Sequence, residues 1–269
     1  MFLLDSAKNY VKVPLKVDKI ACDYFCTAEL LQLMGVQHKI VAASNALFVL
    51  KDFYLQGVPD MSKVVNFVNR VTPQFELLGE KDPDVWIVSE PYSYGTKTRA
   101  AVIVLDQLTF DFENIYNSGP VEAALLAGYI FNNTAAAQKY VKWYISTWEM
   151  LDGKTKNLDD GKKPCVFYTG YDKHVFDSNV KEIRVFPDNT VCWQAVKLAG
   201  GKNLIDDYPG TIVKKERPTS NVNMGATSGF EWLKTKTFEY AFVHCTKYQG
   251  QGLVSPNVPD HGYTCKDPS

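Results

Sequence analysis

Short apolar runs and helical periodicities alternate along most of the chain. Val85-Trp86-Ile87-Val88 is apolar on both faces, as a strand of a helix-covered parallel sheet must be. Residues 17–21, Lys39 to Ala43, Ala100 to Leu105 and Cys165 to Tyr168 are further short β runs, and Ile183 to Phe186 is a β segment. Between the first two, Ala28, Leu30, Leu31, Leu33 and Met34 recur at helical spacing, with Thr27 as the predicted cap and Gly35 as the stop. Asp5 to Val17, carrying Val11, Val13 and Pro14, reads as an edge strand or hairpin, where proline is tolerated. Further on, Pro120 begins a helix that weakens at Asn132-Asn133. Thr134 is the predicted cap of a longer helix reaching about Leu151, a span of roughly 27 Å. On that helix Tyr140, Tyr144 and Trp148 recur every four residues with Trp143 beside them, which predicts a wide buried aromatic face. A helix is also predicted from about Thr190 to Ala199.

One arrangement occurs twice. Phe75-Glu76-Leu77-Leu78 is followed by Pro83 and the run Val85 to Val88; Phe230-Glu231-Trp232-Leu233 is followed by Phe238 and Tyr240-Ala241-Phe242-Val243. Each copy reads as a short helix, a turn and a buried strand, and each follows an apolar helix that ends in glycine (Gly35; Gly200-Gly201). A repeat this long is not a solenoid period. It predicts two α/β lobes of shared plan: residues 1–119 as the first lobe, 120–151 as a linking helical segment, and 152–269 as the second lobe ending in a loop-like tail.

Composition narrows the class. The 269 residues are 46% hydrophobic and 22% charged, enough for one large core or two ordinary ones. The formal net charge is -1 and no Lys/Arg block exceeds a pair, so the electrostatic footprint of a nucleic-acid binder is missing. No apolar run approaches the ~20 residues that span a bilayer. The six cysteines show neither a CxxC pair nor zinc-like Cys/His spacing. Cys22 and Cys26 read as small buried residues, with a disulfide as the alternative; Cys245 and Cys265 flank a Gly/Pro-rich tail and are a candidate staple.

Motifs for covalent chemistry are lacking. Gly153-Lys154-Thr155 resembles the end of a phosphate loop, but Trp148 stands where that loop needs glycine. There is no GxGxxG after the first strand, no HExxH and no GxSxG. In a doubly wound lobe, ligands sit outside the carboxyl ends of the strands. Tyr24, Phe25, Phe48, Tyr92, Tyr94, Tyr168, Tyr171 and Trp193 fall in or beside the loops at such ends, and aromatic walls suit a large, flat or partly apolar ligand; half of them completing the cores is the alternative. His174, in the exit loop after Cys165 to Tyr168, is the best placed of the four histidines.

The order of Val13-Pro14 with Val17-Asp18-Lys19-Ile20, Glu29-Leu30-Leu31 ending at Met34-Gly35, Lys39-Ile40-Val41, and Phe75-Glu76 with Pro83-Asp84-Val85 resembles the substrate-binding proteins of ABC importers for iron-siderophores, haem and cobalamin. The helix after Thr134 and the turn Ala199 to Leu204 fit the same family, and the resemblance runs to about Cys245. It implies two Rossmann-like lobes joined by a single long helix, with the ligand in a cleft between them and modest closure. It further implies that Glu76 and Glu231 dock on arginines of the membrane permease. The chain departs from the family at Phe238-Glu239, where Pro-Asp is usual, and beyond Cys245, where a further strand and helix are usual.

The function implied is capture of a metal chelate (a ferric siderophore, haem or a corrinoid) and its delivery to a permease. That role is extracytoplasmic, in the periplasm or at the cell surface, with a leader absent from this chain as the expected membrane anchor. It needs no catalysis, no cofactor and no metal site of the protein's own, and a monomer is expected. No ligand-selective signature, such as an arginine cluster or an axial haem residue, is evident in the sequence. The alternative is a chelatase-like or other two-lobed metal-tetrapyrrole enzyme, for which His174 with Glu90 is the only candidate pair.

Overall fold

A computed structural model describes residues 1–70, 72–91, 97–109, 111, 114–171, 182–185, 191–208, 222–225 and 231–245. The apolar runs become strands. In the first half these are β1 (Phe2–Leu4), β2 (Tyr10–Lys12), β3 (Ile20–Cys22), β4 (Ile40–Ala43), β5 (Val65–Asn66), β6 (Val85–Val88) and β7 (Ala101–Val104). The helices among them are α1 (Phe25–Leu33), α2 (Asn45–Val49), α3 (Lys51–Tyr54) and α4 (Phe75–Lys81). β1 and β2 form the antiparallel hairpin expected near the start.

The other five strands form one parallel sheet in the order β5-β4-β3-β6-β7. Alternate residues of the same strands feed two cores, which is why the runs are apolar on both faces. Ile20, Cys22, Ile40, Val85, Ile87 and Ile103 join Leu30 and Leu31 of α1; Ala21, Ala42, Trp86, Val88 and Val104 join Phe67 and Leu78 of α4.

Two helices follow, α5 (Gly119–Ile130) and α6 (Thr134–Thr155). α5 is sunk in the first core through Ala123, Ala124, Ala127 and Ile130. At Gly128 the two helices approach so closely that a Cβ would lie 2.5 Å from that of Ala137, the one buried residue of α6. The cap of α6 is Asn133, whose Oδ1 accepts from Ala136 N, not Thr134. The aromatic face is only half-buried, and Trp143 is 59% exposed. Tyr140 and Val141 pack on the first core, whereas farther along the contact with that lobe is polar and exposed, the Tyr116 hydroxyl donating to the Glu149 carboxylate at 3.1 Å. The far end of α6 meets the second lobe, where Thr155 Oγ1 lies 3.1 Å from the Leu198 carbonyl. Twenty-two residues give a rod of about 33 Å.

The second half carries β8 (Cys165–Tyr171), β9 (Glu182–Val185), α7 (Val191–Leu198), β10 (Lys202–Asn203), β11 (Val222–Gly225) and β12 (Tyr240–Cys245). β10 and β12 pair with β8 in parallel, as β4 and β6 pair with β3. The copy is not complete: β9 runs antiparallel to β8, and β11 antiparallel to β9, so this sheet is mixed. The start of β12 also differs from the buried strand expected, since Tyr240 and Ala241 are exposed. Among the described residues β8 is its one partner strand.

The register of the two copies agrees in detail. Eight positions after Glu76 stands Asp84, whose carboxylate accepts the backbone N–H groups of Asp18 (2.8 Å) and Lys19 (2.9 Å) just before β3. Eight positions after Glu231 stands Glu239, whose carboxylate accepts the N–H of Cys165 at the start of β8. Each residue also donates its own N–H to the same place, Asp84 to Lys19 and Glu239 to Cys165, both at 3.0 Å. Glu239 therefore performs the part of Asp84, despite the unusual Phe-Glu.

Among the described residues no helix is long and apolar enough to cross a membrane. Cys22, Cys26 and Cys165 are free thiols, so the Cys22–Cys26 pair is not a disulfide. The proposed Cys245–Cys265 staple lies outside the described residues at Cys265.

Candidate functional site

Strand order reverses between β3 and β6: the chain proceeds from β3 outward to β4 and β5, then returns to place β6 on the other side. At such a switch point the exit loops diverge and leave a crevice at the carboxyl edge of the sheet. The residues leaving the two strands are Asp23 and Ser89, both fully buried.

They are tied together. The Asp23 carboxylate accepts the Ser89 N–H (3.1 and 3.2 Å to its two oxygens), the Ser89 hydroxyl (3.2 Å) and the Thr27 hydroxyl (3.0 Å). Ser44, at the exit of β4, donates its hydroxyl to the Asp23 carbonyl. Burial pushes the Asp23 carboxyl up to about 6, against the lowering effect of the Ser89 N–H and the charge of Arg70. Burial likewise pushes the Cys22 thiol up to about 12, which keeps it neutral and unreactive.

Arg70 comes from the loop after β5. Its guanidinium carbon lies 3.8 Å from the centre of the Tyr24 ring, one nitrogen is 3.4 Å from Ser89 Oγ, and the Glu90 carboxylate is 3.6 Å away. Stacking on one face leaves the guanidinium N–H groups in its plane, where Ser89 and Glu90 meet them and where carboxylate-like groups pair with arginine. Tyr24 continues into an aromatic row, with ring centres 4.6 Å apart from Tyr24 to Phe25 and again from Phe25 to Tyr54, then 4.8 Å to Phe53. One crevice edge thus offers a cation in a polar node beside an apolar wall.

The expected site residues divide. Tyr24 and Phe25 are brought together here and are half-buried. Phe48, on α2, is partly buried against the main core of the first lobe. In the second lobe Trp193 is buried with Val166 and Val196, and Tyr168 packs on that cluster. Tyr92, Tyr94, His174 and the side chain of Tyr171 lie outside the described residues. Glu90 is half-buried beside Arg70. Glu76 stands exposed in the first turn of α4, and Glu231 is exposed with Lys234 Nζ 2.7 Å from its carboxylate.

Sequence reading missed Arg70, Asp23 and Ser89. Arg70 carried one signal: it is one of four arginines in a chain that otherwise uses lysine, and it closely follows a short β run. Its stacking on Tyr24, 46 positions earlier, is visible only in the fold.

No protein-family model matches the chain, and no curated protein matches it in sequence. Solved structures do match. The petrobactin-binding protein YclQ of Bacillus subtilis superposes with a TM-score of 0.64 at 18% identity, covering 90% of this chain and 76% of that one. MolA of Haemophilus influenzae, the molybdate periplasmic binding protein of an ABC transporter, gives 0.61 at 13% identity over 76% of this chain and 65% of that one. The periplasmic vitamin B12 binding protein BtuF of Vibrio cholerae gives 0.58 at 15% identity over 84% and 76%. The chain thus spans just under two thirds of the length of MolA and about three quarters of the other two. These neighbours are binding proteins rather than enzymes. The α/β chain described above has the fold of the two-lobed periplasmic solute-binding proteins.

Proposed function

We propose that this chain is an extracytoplasmic solute-binding protein of an ABC importer, capturing a metal chelate or comparable anionic solute between its lobes and delivering it to a membrane permease. The observation that carries the reading is Arg70, stacked on Tyr24 at the switch point of the first sheet, where a doubly wound lobe receives its ligand. A guanidinium beside an aromatic row suits a solute that pairs negative oxygens with a flat or apolar body. Tyr24 and Phe25 supply that wall, and Tyr92, Tyr94, Tyr171 and His174 are the further ligand-facing candidates; Phe48, Tyr168 and Trp193 pack on the lobe cores. The protein acts as a monomer.

Glu76 and Glu231 are the permease contacts. Both are exposed and each lies in a helical turn before a strand paired in parallel with the first strand of its sheet, so two separated carboxylates present one orientation to a partner.

The test is isothermal titration calorimetry with molybdate, ferric citrate, ferric tris(2,3-dihydroxybenzoate), haem and cyanocobalamin. At least one probe should bind at micromolar affinity or better. Arg70→Met should weaken an anionic probe by at least about tenfold, the scale of one charge-assisted contact. Failure of every probe to bind would overturn the solute-binding reading.

A further inference from the structure

Asp23 and Glu90 both face Arg70, so among the described residues the node sets two carboxylates against one guanidinium. An anion arriving at Arg70 brings a third negative group to a node whose Asp23 is fully buried and whose Glu90 is 15% exposed, where like charges are costly. A proton on Asp23 removes that conflict. We propose that the solute site is proton-linked: an anionic solute docks on Arg70 together with one proton from solvent, which is held on the Asp23 carboxyl. This rests on the solute-binding reading above and adds to it the charge of the solute and the partner ion that travels with it.

The hydrogen-bond network is built for both forms of Asp23. Thr27 Oγ1 lies 3.0 Å from Asp23 Oδ1 and 2.7 Å from the Tyr24 carbonyl. With Asp23 ionised, the threonine hydroxyl donates to the carboxylate. With Asp23 protonated on Oδ1, the acid donates to Thr27 Oγ1 and the threonine turns its own proton to the Tyr24 carbonyl. Ser89 N and Oγ still find an acceptor in Asp23 Oδ2. No heavy atom has to move, and neither state leaves a buried polar group unmatched.

Among the described residues, each element packed on Asp23 contributes a facing group. β3 contributes Cys22 and α1 contributes Cys26, both kept neutral by burial. β4 contributes Ser44, the exit of β6 contributes Ser89 and Glu90, and the loop after β5 contributes Arg70. Burial holds the free carboxyl at about 6, so the site starts near the point of proton uptake at neutral pH.

Two measurements decide it. In titrations of molybdate or ferric citrate in buffers of different ionisation enthalpy at pH 7, the wild type should take up close to one proton per anion. The affinity should rise up to about tenfold for each unit of pH lowered between about 8 and 6. Asp23→Asn should bind with no uptake and a flat profile, and cyanocobalamin, a neutral probe, should show no linkage in either protein. Carboxyl carbon NMR of the free protein should find Asp23 titrating near 6, and higher in Arg70→Met. Anion binding without proton uptake, or an Asp23 that titrates near 4, would overturn the linkage while leaving solute binding intact. Failure of all probes would sink both.

Discussion

Asp23 illustrates how a residue with no motif around it acquires a function from its surroundings. Its carboxyl is raised to about 6 in the folded protein, mainly by burial, from an ordinary value of 3.8. The folded state therefore binds the proton more tightly than the unfolded chain. The group's contribution to stability is complete below about pH 4 and is lost as pH rises through about 6. A difference near two units corresponds to roughly 3 kcal/mol. Asp23→Asn should accordingly gain on the wild type by up to about that amount between pH 4 and pH 7, read as the change in their difference in urea unfolding free energy. Equal differences at both pH values would mean that Asp23 is ionised with little cost. At this scale the sequence was least legible. Thr27 looked like a helix cap, yet its hydroxyl receives the Tyr24 N–H as a third-position residue and turns toward Asp23, and α1 begins three residues earlier, with Tyr24 as its cap. Arg70, Asp23 and Ser89 meet across three loops, and nothing local marks such a meeting.

At the scale of elements, pattern and structure agree where both faces of a strand are buried. β4, β6 and β7 fall within a residue or so of the runs that predicted them, because a two-sided apolar run has few other solutions. Agreement fades with shorter or one-sided pieces: β9 was foreseen as β but not as antiparallel, and the aromatic face of α6 was expected to be covered. The carboxylate ties at Asp84 and Glu239 lend themselves to measurement. Asp84→Ala removes an acceptor of two backbone N–H groups and should cost about 2 kcal/mol; Glu239→Ala, more exposed, should cost about 1 kcal/mol. If denaturant unfolding showed no loss in either variant, the shared register would be a coincidence of geometry. Gly128→Ala should cost 1 kcal/mol or more, on the order of an overpacked core, because α5 and α6 would have to part.

At the scale of the molecule, the duplicated plan is legible in the sequence, since the Phe-Glu-x-Leu stretches sit at equal offsets from the apolar runs that follow them. The two halves then diverge in sheet direction, which sequence periodicity does not record. α6 spans from Gly128 and Ala137 on one lobe to Leu198 on the other, so any closing motion has to bend or tilt a continuous helix. The permease assignment belongs at this scale. With a reconstituted permease, Glu76→Ala and Glu231→Ala should each reduce stimulation of ATP hydrolysis severalfold while solute affinity stays unchanged. Full stimulation by the double variant would remove the docking role.

The acidic ties have one more consequence. Both lie at the amino ends of their parallel strands, the opposite rim from the one carrying Asp23, Ser89 and Arg70. The first sheet is stitched along both rims, by Asp84 at the amino ends and by Asp23 with Ser89 at the carboxyl ends. This chain should therefore tolerate foreign exit loops after β3 and β6 when Asp23 and Ser89 are kept, and lose stability when they are replaced along with the loops. New chemistry at that rim can then be introduced beyond those two residues, with the strands beneath left alone.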